Sequence, residues 1–158
     1  MTQGSVITED MKKAIGVESE PTIVVVEREP IRRAAAAMGD NNPLYYDEEY
    51  AKKLGYRSVI APPGFQPTYS FTLKTAPMRA DAGPRMPTGF TRFMNGGDEY
   101  EFFQPIQAGD VLSITRRLGD LYERDGRMGK MFFTVNETVF RNQKNEIVLI
   151  QRSTTIAY

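Results

Sequence analysis

The chain has neither histidine nor cysteine among its 158 residues. Each absence closes a class of chemistry. Without cysteine there is no disulfide framework, no thiolate nucleophile and no thiolate metal ligand. Without histidine, Ser-His-Asp and Cys-His catalysis cannot be completed within the chain, and the commonest transition-metal ligand is missing. Histidine is also the side chain whose ordinary pKa best suits general-base work near neutrality. Chemistry here is left to carboxylates, tyrosine, lysine or backbone dipoles. No sign of charge dominates, because 20 basic and 20 acidic residues cancel. That leaves no global field to hold a polyanion. No apolar run approaches the about 20 residues of a membrane span. The polar start, Met1 to Lys13, lacks the apolar stretch of a secretory signal. The expectation is a cytoplasmic protein that meets neither nucleic acid nor membrane and uses no metal or cofactor.

The length suits one domain with a real core, so residues 1–158 are read as a single domain with a loosely ordered lead-in over 1–20. A short helix is expected from Glu9 to Ile15. Thr22 to Glu27 is β-branched and continuous, which predicts a strand. Glu29-Pro30 is a helix start and Gly39 a stop, so Ile31 to Met38 reads as a helix. Four successive alanines, Ala34 to Ala37, make that helix thin, able to approach a sheet closely and be buried. Asp47 to Leu54 is a second helix, capped by Asp47 and stopped by Gly55. Prolines are frequent from Ala61 to Pro87, with a further helix placed within Thr68 to Thr75. After that the pattern becomes strands: Asp98 to Phe103, Val111 to Leu118, Met131 to Arg141 and Ile147 to Ala157. Asp125-Gly126 between two long strands signals a hairpin. The class is therefore α+β.

Gly39-Asp40-Asn41-Asn42-Pro43-Leu44-Tyr45 follows the alanine helix directly. It closely resembles the signature of MaoC-like (R)-specific enoyl-CoA hydratases, which runs Gly, Asp, any residue, Asn, Pro, an aliphatic residue, then His. Ile60-Ala61-Pro62-Pro63-Gly64-Phe65 also looks like this family. Asn95-Gly96-Gly97-Asp98-Glu99-Tyr100-Glu101-Phe102-Phe103 and Ala108-Gly109-Asp110 are most similar to its fatty-acid-synthase-type dehydratase subgroup. The resemblance covers about residues 20 to 157 in family order. It implies a hot-dog fold, a long antiparallel sheet wrapped around a central alanine-rich helix, working as a homodimer or a heterodimer with a second hot-dog subunit. The implied reaction is reversible addition of water to a trans-2-enoyl thioester, with coenzyme A or an acyl carrier as the substrate's carrier and no separate cofactor.

By the same resemblance Asp40, Asn42 and Tyr45 stand at the catalytic positions. Gly64, Phe65, Gly96 and Gly97 stand at the substrate-binding ones, with Gly64 where an N–H would polarise the thioester carbonyl. The departure is Tyr45, which occupies the histidine position. An ordinary tyrosine, with a pKa of about 10, is ionised in only about one molecule in a thousand at pH 7. Each residue also has a plainer reading: Asp40 as a turn residue, Asn42 as a loop shaper, Tyr45 as packing, and Asn95-Gly96-Gly97 as a bulge. The methionines and aromatics between Phe65 and Met94 suit a flexible acyl group or a partner subunit equally well. Arg79, Arg85 and Arg92 fit either phosphate contacts or a solvated surface. The leading expectation is a hydratase/dehydratase subunit whose partner carries the intact Asp/His pair. The alternatives are a self-sufficient homodimeric hydratase using Asp40, and a non-catalytic acyl-thioester-binding subunit.

Overall fold

The computed structural model describes residues 5–65, 89–127 and 129–158. The helix placed within Thr68–Thr75, Arg79, Arg85 and the methionines and aromatics from Tyr69 to Met86 lie outside the described residues. The order is α1 (Glu9–Lys13), β1 (Thr22–Val25), α2 (Arg28–Ala37), a 3-10 turn (Pro43–Tyr45), α3 (Glu48–Lys53), then β2 (Phe93–Phe102), β3 (Val111–Gly126), β4 (Gly129–Arg141) and β5 (Ile147–Ala157). The five strands form one antiparallel sheet in the order β1-β3-β4-β5-β2.

Two strands run longer than the sequence pattern suggests, for the same reason. β3 continues past Leu118 because the register shifts between Leu118 and Asp120. The extra residue lets Leu118 and Leu121, three apart, face the same cluster and hides the period of two. β2 starts at Phe93 instead of Asp98, with a similar shift between Asn95 and Gly97. The β3–β4 hairpin forms, but its last pair is Gly126 with Gly129, one step beyond the Asp125-Gly126 turn expected.

One face of the sheet carries two apolar clusters. Ile31 and Ala35 of α2 pack with Leu112, Ile114, Phe140 and Leu149. At the other end Met11 of α1 packs with Leu118, Leu121, Phe132 and Ala157. Between them the same face turns polar, because Asn136, Ser153 and Asp98 lie in register across β4, β5 and β2. The alanine helix is buried on one side only. Ile31 and Ala35 are inaccessible, while Arg32, Arg33, Ala36 and Ala37 are exposed. The lead-in is tied down over residues 5–20. Gly16 N–H donates to Leu118 O at 2.8 Å and Ser19 N–H to Arg116 O at 2.8 Å, while Glu123 accepts from Ser5 Oγ and from the Val6 and Ile7 amides.

The opposite face carries an ion-pair ladder. Glu137 joins Arg117 at 2.7 Å and Arg152 at 2.9 Å, and Arg152 reaches Glu101 at 2.9 Å and Glu99 at 3.1 Å. Burial pushes the Glu137 pKa up, but hydrogen bonds from the two guanidinium groups and their charges outweigh it, so the net shift is downward. A carboxyl held below its ordinary range stabilises the fold above that range and loses the effect as pH falls through the lowered value. Glu137→Gln is therefore expected to cost about 2 kcal/mol at pH 7, the worth of charge-assisted hydrogen bonds. The gap to the wild type should shrink as pH falls below about 4.5, which urea unfolding at pH 7 and at pH 3 would measure.

Candidate functional site

The site is built where α2 runs out. Gly39 turns the chain with φ +69, and the next residues fold back on themselves. The Asp40 carboxylate accepts from the Asn42 N–H at 3.0 Å, and the Asn42 side-chain oxygen accepts from the Leu44 N–H at 3.1 Å. Pro43 cannot donate and its ring presets φ, so it opens the 3-10 turn that follows. Tyr46, which sequence reasoning passed over, donates its hydroxyl to Asp40 O at 2.8 Å. The loop is thus held by its own side chains. Asn42 spends its oxygen on shaping it, as the plainer reading of that residue had it.

Tyr45 points inward and is 7% exposed, packed in the first apolar cluster. Burial raises its phenol pKa above 10 and the nearby Asp40 charge raises it further, against a lowering hydrogen bond with Asn42. Asp40, Asn42 and Tyr45 are therefore brought together, as a carboxylate, an amide and a phenol that stays protonated. Such a phenol donates a hydrogen bond but does not take a proton from water at neutral pH. Residues 39–43 are exposed on the surface, so the chain alone presents this loop to bulk solvent.

Gly64 comes into the same neighbourhood. The Ile60 N–H donates to Leu44 O at 3.1 Å, joining its loop to the 3-10 turn. Gly64 has φ +92, and a Cβ built there would lie 3.7 Å from Met38 Sδ at the end of α2. Gly64→Ala is expected to cost about 1–2 kcal/mol, mainly from the left-handed backbone, readable as a lowered midpoint in urea. Phe65 follows Gly64 directly. It is 1% exposed and belongs to the core cluster. Gly96 and Gly97 form the bulge of β2. The Gly97 N–H donates to Asn95 Oδ1 at 2.8 Å, and a Cβ on Gly96 would lie 3.0 Å from side-chain atoms of Ile156 and Thr154.

The Gly64 loop is anchored by residues that no motif singled out for this task. Asp110, 6% exposed, accepts from Arg57 Nη2 at 2.7 Å, the Gln107 N–H at 2.7 Å and Gln143 Nε2 at 3.3 Å. The Gln107 side chain accepts from the Arg57 N–H at 2.7 Å and the Ser58 N–H at 3.3 Å. Ala61 N–H then donates to Ile106 O at 2.7 Å and Ala108 N–H to Val59 O at 3.0 Å. Among the described residues no group of three or more histidine, cysteine or acidic side chains could hold a metal ion, and no helix is long and apolar enough to cross a membrane.

Known proteins resemble this chain in sequence and in fold. Residues 13–151 match the family model described as FAS1-like, dehydratase domain region. A UPF0336 protein of Saccharopolyspora erythraea is 35% identical over 144 residues, 90% of this chain and 88% of that protein. A protein named probable enoyl-CoA hydratase alpha subunit, from Thermomonospora curvata, is 29% identical over 132 residues, 77% of this chain and 41% of that protein. The matches to the UPF0336 proteins of Streptomyces avermitilis and Streptomyces coelicolor span 58% of the length of each. Among solved structures, a chain of the ChsH1-ChsH2 complex from Mycobacterium tuberculosis superposes with a TM-score of 0.77 at 20% identity, covering 96% of this chain and 97% of that one. A chain of the HadBC (3R-hydroxyacyl-ACP dehydratase) complex from the same organism gives 0.70 at 24% identity, covering 90% and 96%. Sheet, motif loop and matches together define a hot-dog domain of the MaoC-like dehydratase type. The chain belongs to the FAS1-like dehydratase domain family.

Proposed function

We propose that this chain is the histidine-lacking subunit of an enoyl-thioester hydratase/dehydratase, paired with a second hot-dog chain that carries the intact Asp/His motif. The reaction is reversible addition of water to a trans-2-enoyl thioester of coenzyme A or an acyl carrier. The observation that carries this reading is Tyr45: the phenol in the histidine position is buried and its pKa is raised. A general base contributes about 10²- to 10⁴-fold when its pKa lies near the working pH, and this one is moved the wrong way. The exposed Asp40 loop adds support, since water activation gains from a site closed to bulk solvent and a second chain would close it. The names of similar proteins point the same way: a probable enoyl-CoA hydratase alpha subunit, a 3R-hydroxyacyl-ACP dehydratase complex and a complex of two differently named chains.

The test is an assay of the purified chain with crotonyl-CoA and a longer enoyl-CoA, alone and co-expressed with a hot-dog chain carrying the Asp/His motif. Turnover only in the combination supports the proposal. Rapid turnover by the chain alone, abolished by Asp40→Asn, establishes the homodimeric hydratase instead. Thioester binding without turnover in any combination leaves a non-catalytic binding subunit.

A further inference from the structure

The chain has no cysteine, so its oxidisable sulfurs are thioethers. Their settings differ among the described residues. Met11 is 5% exposed within the second apolar cluster, whereas Met38 is 48% exposed and Met94, on β2, 50%. Met38 is the C-cap residue of α2, and its N–H donates to Ala34 O at 3.1 Å. Gly39 and the Asp40 loop follow it directly. The helix thus fixes the Met38 backbone, while its side chain reaches across to the Gly64 loop. A Cβ built on Gly64 would find Met38 Sδ at 3.7 Å, which is van der Waals contact. That loop turns at Gly64 with φ +92, and the Phe65 N–H closes the turn by donating to Pro62 O at 3.1 Å. An exposed sulfur therefore bridges the two segments of the site, the end of α2 that leads into Asp40 and the turn that carries Gly64.

A thioether is soft and apolar, which suits it to pack against a glycine backbone. Its sulfoxide is polar and chiral and disrupts such packing. An oxygen added to Met38 Sδ has the space of the missing Gly64 side chain to enter. We infer that Met38 is a reversible oxidation site for a hydroperoxide, hydrogen peroxide in the simplest case, and that its sulfoxide displaces the Gly64 loop and lowers turnover. The step balances in atoms and electrons. A sulfur lone pair attacks one peroxide oxygen, the S–O bond forms as the O–O bond breaks, and the hydroxyl proton passes to the departing hydroxide, which leaves as water. Sulfur loses two electrons and the peroxide gains them. Two thiols, through methionine sulfoxide reductases, return the thioether with release of water and a disulfide. The inference rests on the proposed function only in its last part, the loss of turnover.

The chain is treated with hydrogen peroxide, and the mass gain at each methionine is followed by peptide mass spectrometry. Met38 is expected to oxidise at least about tenfold faster than the buried Met11. In the oxidised chain the Phe65 N–H should exchange at least about fivefold faster, because the turn it closes has lost its packing. Methionine sulfoxide reductases should restore the slow exchange. In Met38→Leu, a change of similar volume, peroxide should leave Phe65 exchange unaltered although Met94 is still oxidised. In the complex with a histidine-bearing hot-dog chain, oxidation should lower turnover about tenfold or more. The Met38→Leu complex should lose less than about twofold of its own untreated rate. Met38 oxidising no faster than Met11, unchanged exchange at Phe65, or an equal loss of rate in the Met38→Leu complex overturns the inference. A complex without turnover before any oxidation counts against the proposed function instead, and mass and exchange then decide the oxidation site by themselves.

Discussion

Hydration of crotonyl-CoA by the chain alone is expected to run at least about 100-fold below that of its complex with a histidine-bearing hot-dog chain. Asp40→Asn in this chain is expected to leave the complex within about twofold of its starting rate. The argument turns on protonation. At pH 7 an ordinary phenol is ionised in about one molecule in a thousand, and Tyr45, raised by burial and by Asp40, is ionised less than that. Asp40 is exposed, and a carboxylate open to bulk water is a weak base. A water held by Asp40 and Tyr45 therefore lacks an effective proton acceptor. If the partner supplies that acceptor, removing the Asp40 charge takes nothing from the transition state. Steady-state rates of the lone chain, the complex and the complex bearing Asp40→Asn decide it. A loss of about 100-fold or more from Asp40→Asn in the complex would place the chemistry in this chain.

Asp110→Ala is expected to be the most damaging single change outside the apolar core, costing about 3 kcal/mol. The carboxylate is 6% exposed and joins three partners. Removing it strands the Gln107 amide and the Gln143 side chain and unpairs Arg57, whose side chain is half exposed at 53% and softens the loss. For a chain of this size that corresponds to a fall in Tm of about 6–12 °C. Asp110→Asn, which keeps the shape and one acceptor, should cost about 1 kcal/mol. The two differ in a second way. Only Asp110→Ala should speed hydrogen exchange at Ser58, Ile60 and Ala61, because those amides are held by Gln107, by Leu44 and by Ile106 next to the clamp. Equal exchange in the two variants would show that the Gly64 loop is held some other way.

How far the fold could be read ahead varies with the range of the interaction. β5 runs from Ile147 to Ala157, the bounds expected from the sequence, and Asp47 caps α3 by accepting from the Tyr50 N–H at 3.0 Å, as its position predicts. Both depend on neighbours a few residues away. The extension of β3 beyond Leu118 was hidden because a one-residue bulge breaks the period on which the reading relies. The outer half of α2 was expected to be buried on propensity and girth, but which side of a helix meets a sheet is set by strands distant in sequence.

The candidate site divides along the same line. The order Gly39, Asp40, Asn42, Pro43 was legible, and so was the tyrosine where an imidazole is expected. That Phe65 is swallowed by the core was not, because a glycine-phenylalanine step reads alike on a wall and in an interior. The clamp was not legible either, since Asp110 reaches Arg57 53 residues away and Gln143 33 residues away.

Composition and order of residues by themselves settled what chemistry is closed to this protein and where its motif loop lies, because the absence of a side chain and a local turn need no partner across the fold. Tertiary structure alone decided that Tyr45 is buried beside Asp40, that Asp110 holds the neighbouring loop, and that the charge row ends in acid at the sheet edge. Desolvation and ion pairing act over a few ångströms of space, and chain folding, not chain order, brings those groups within that reach.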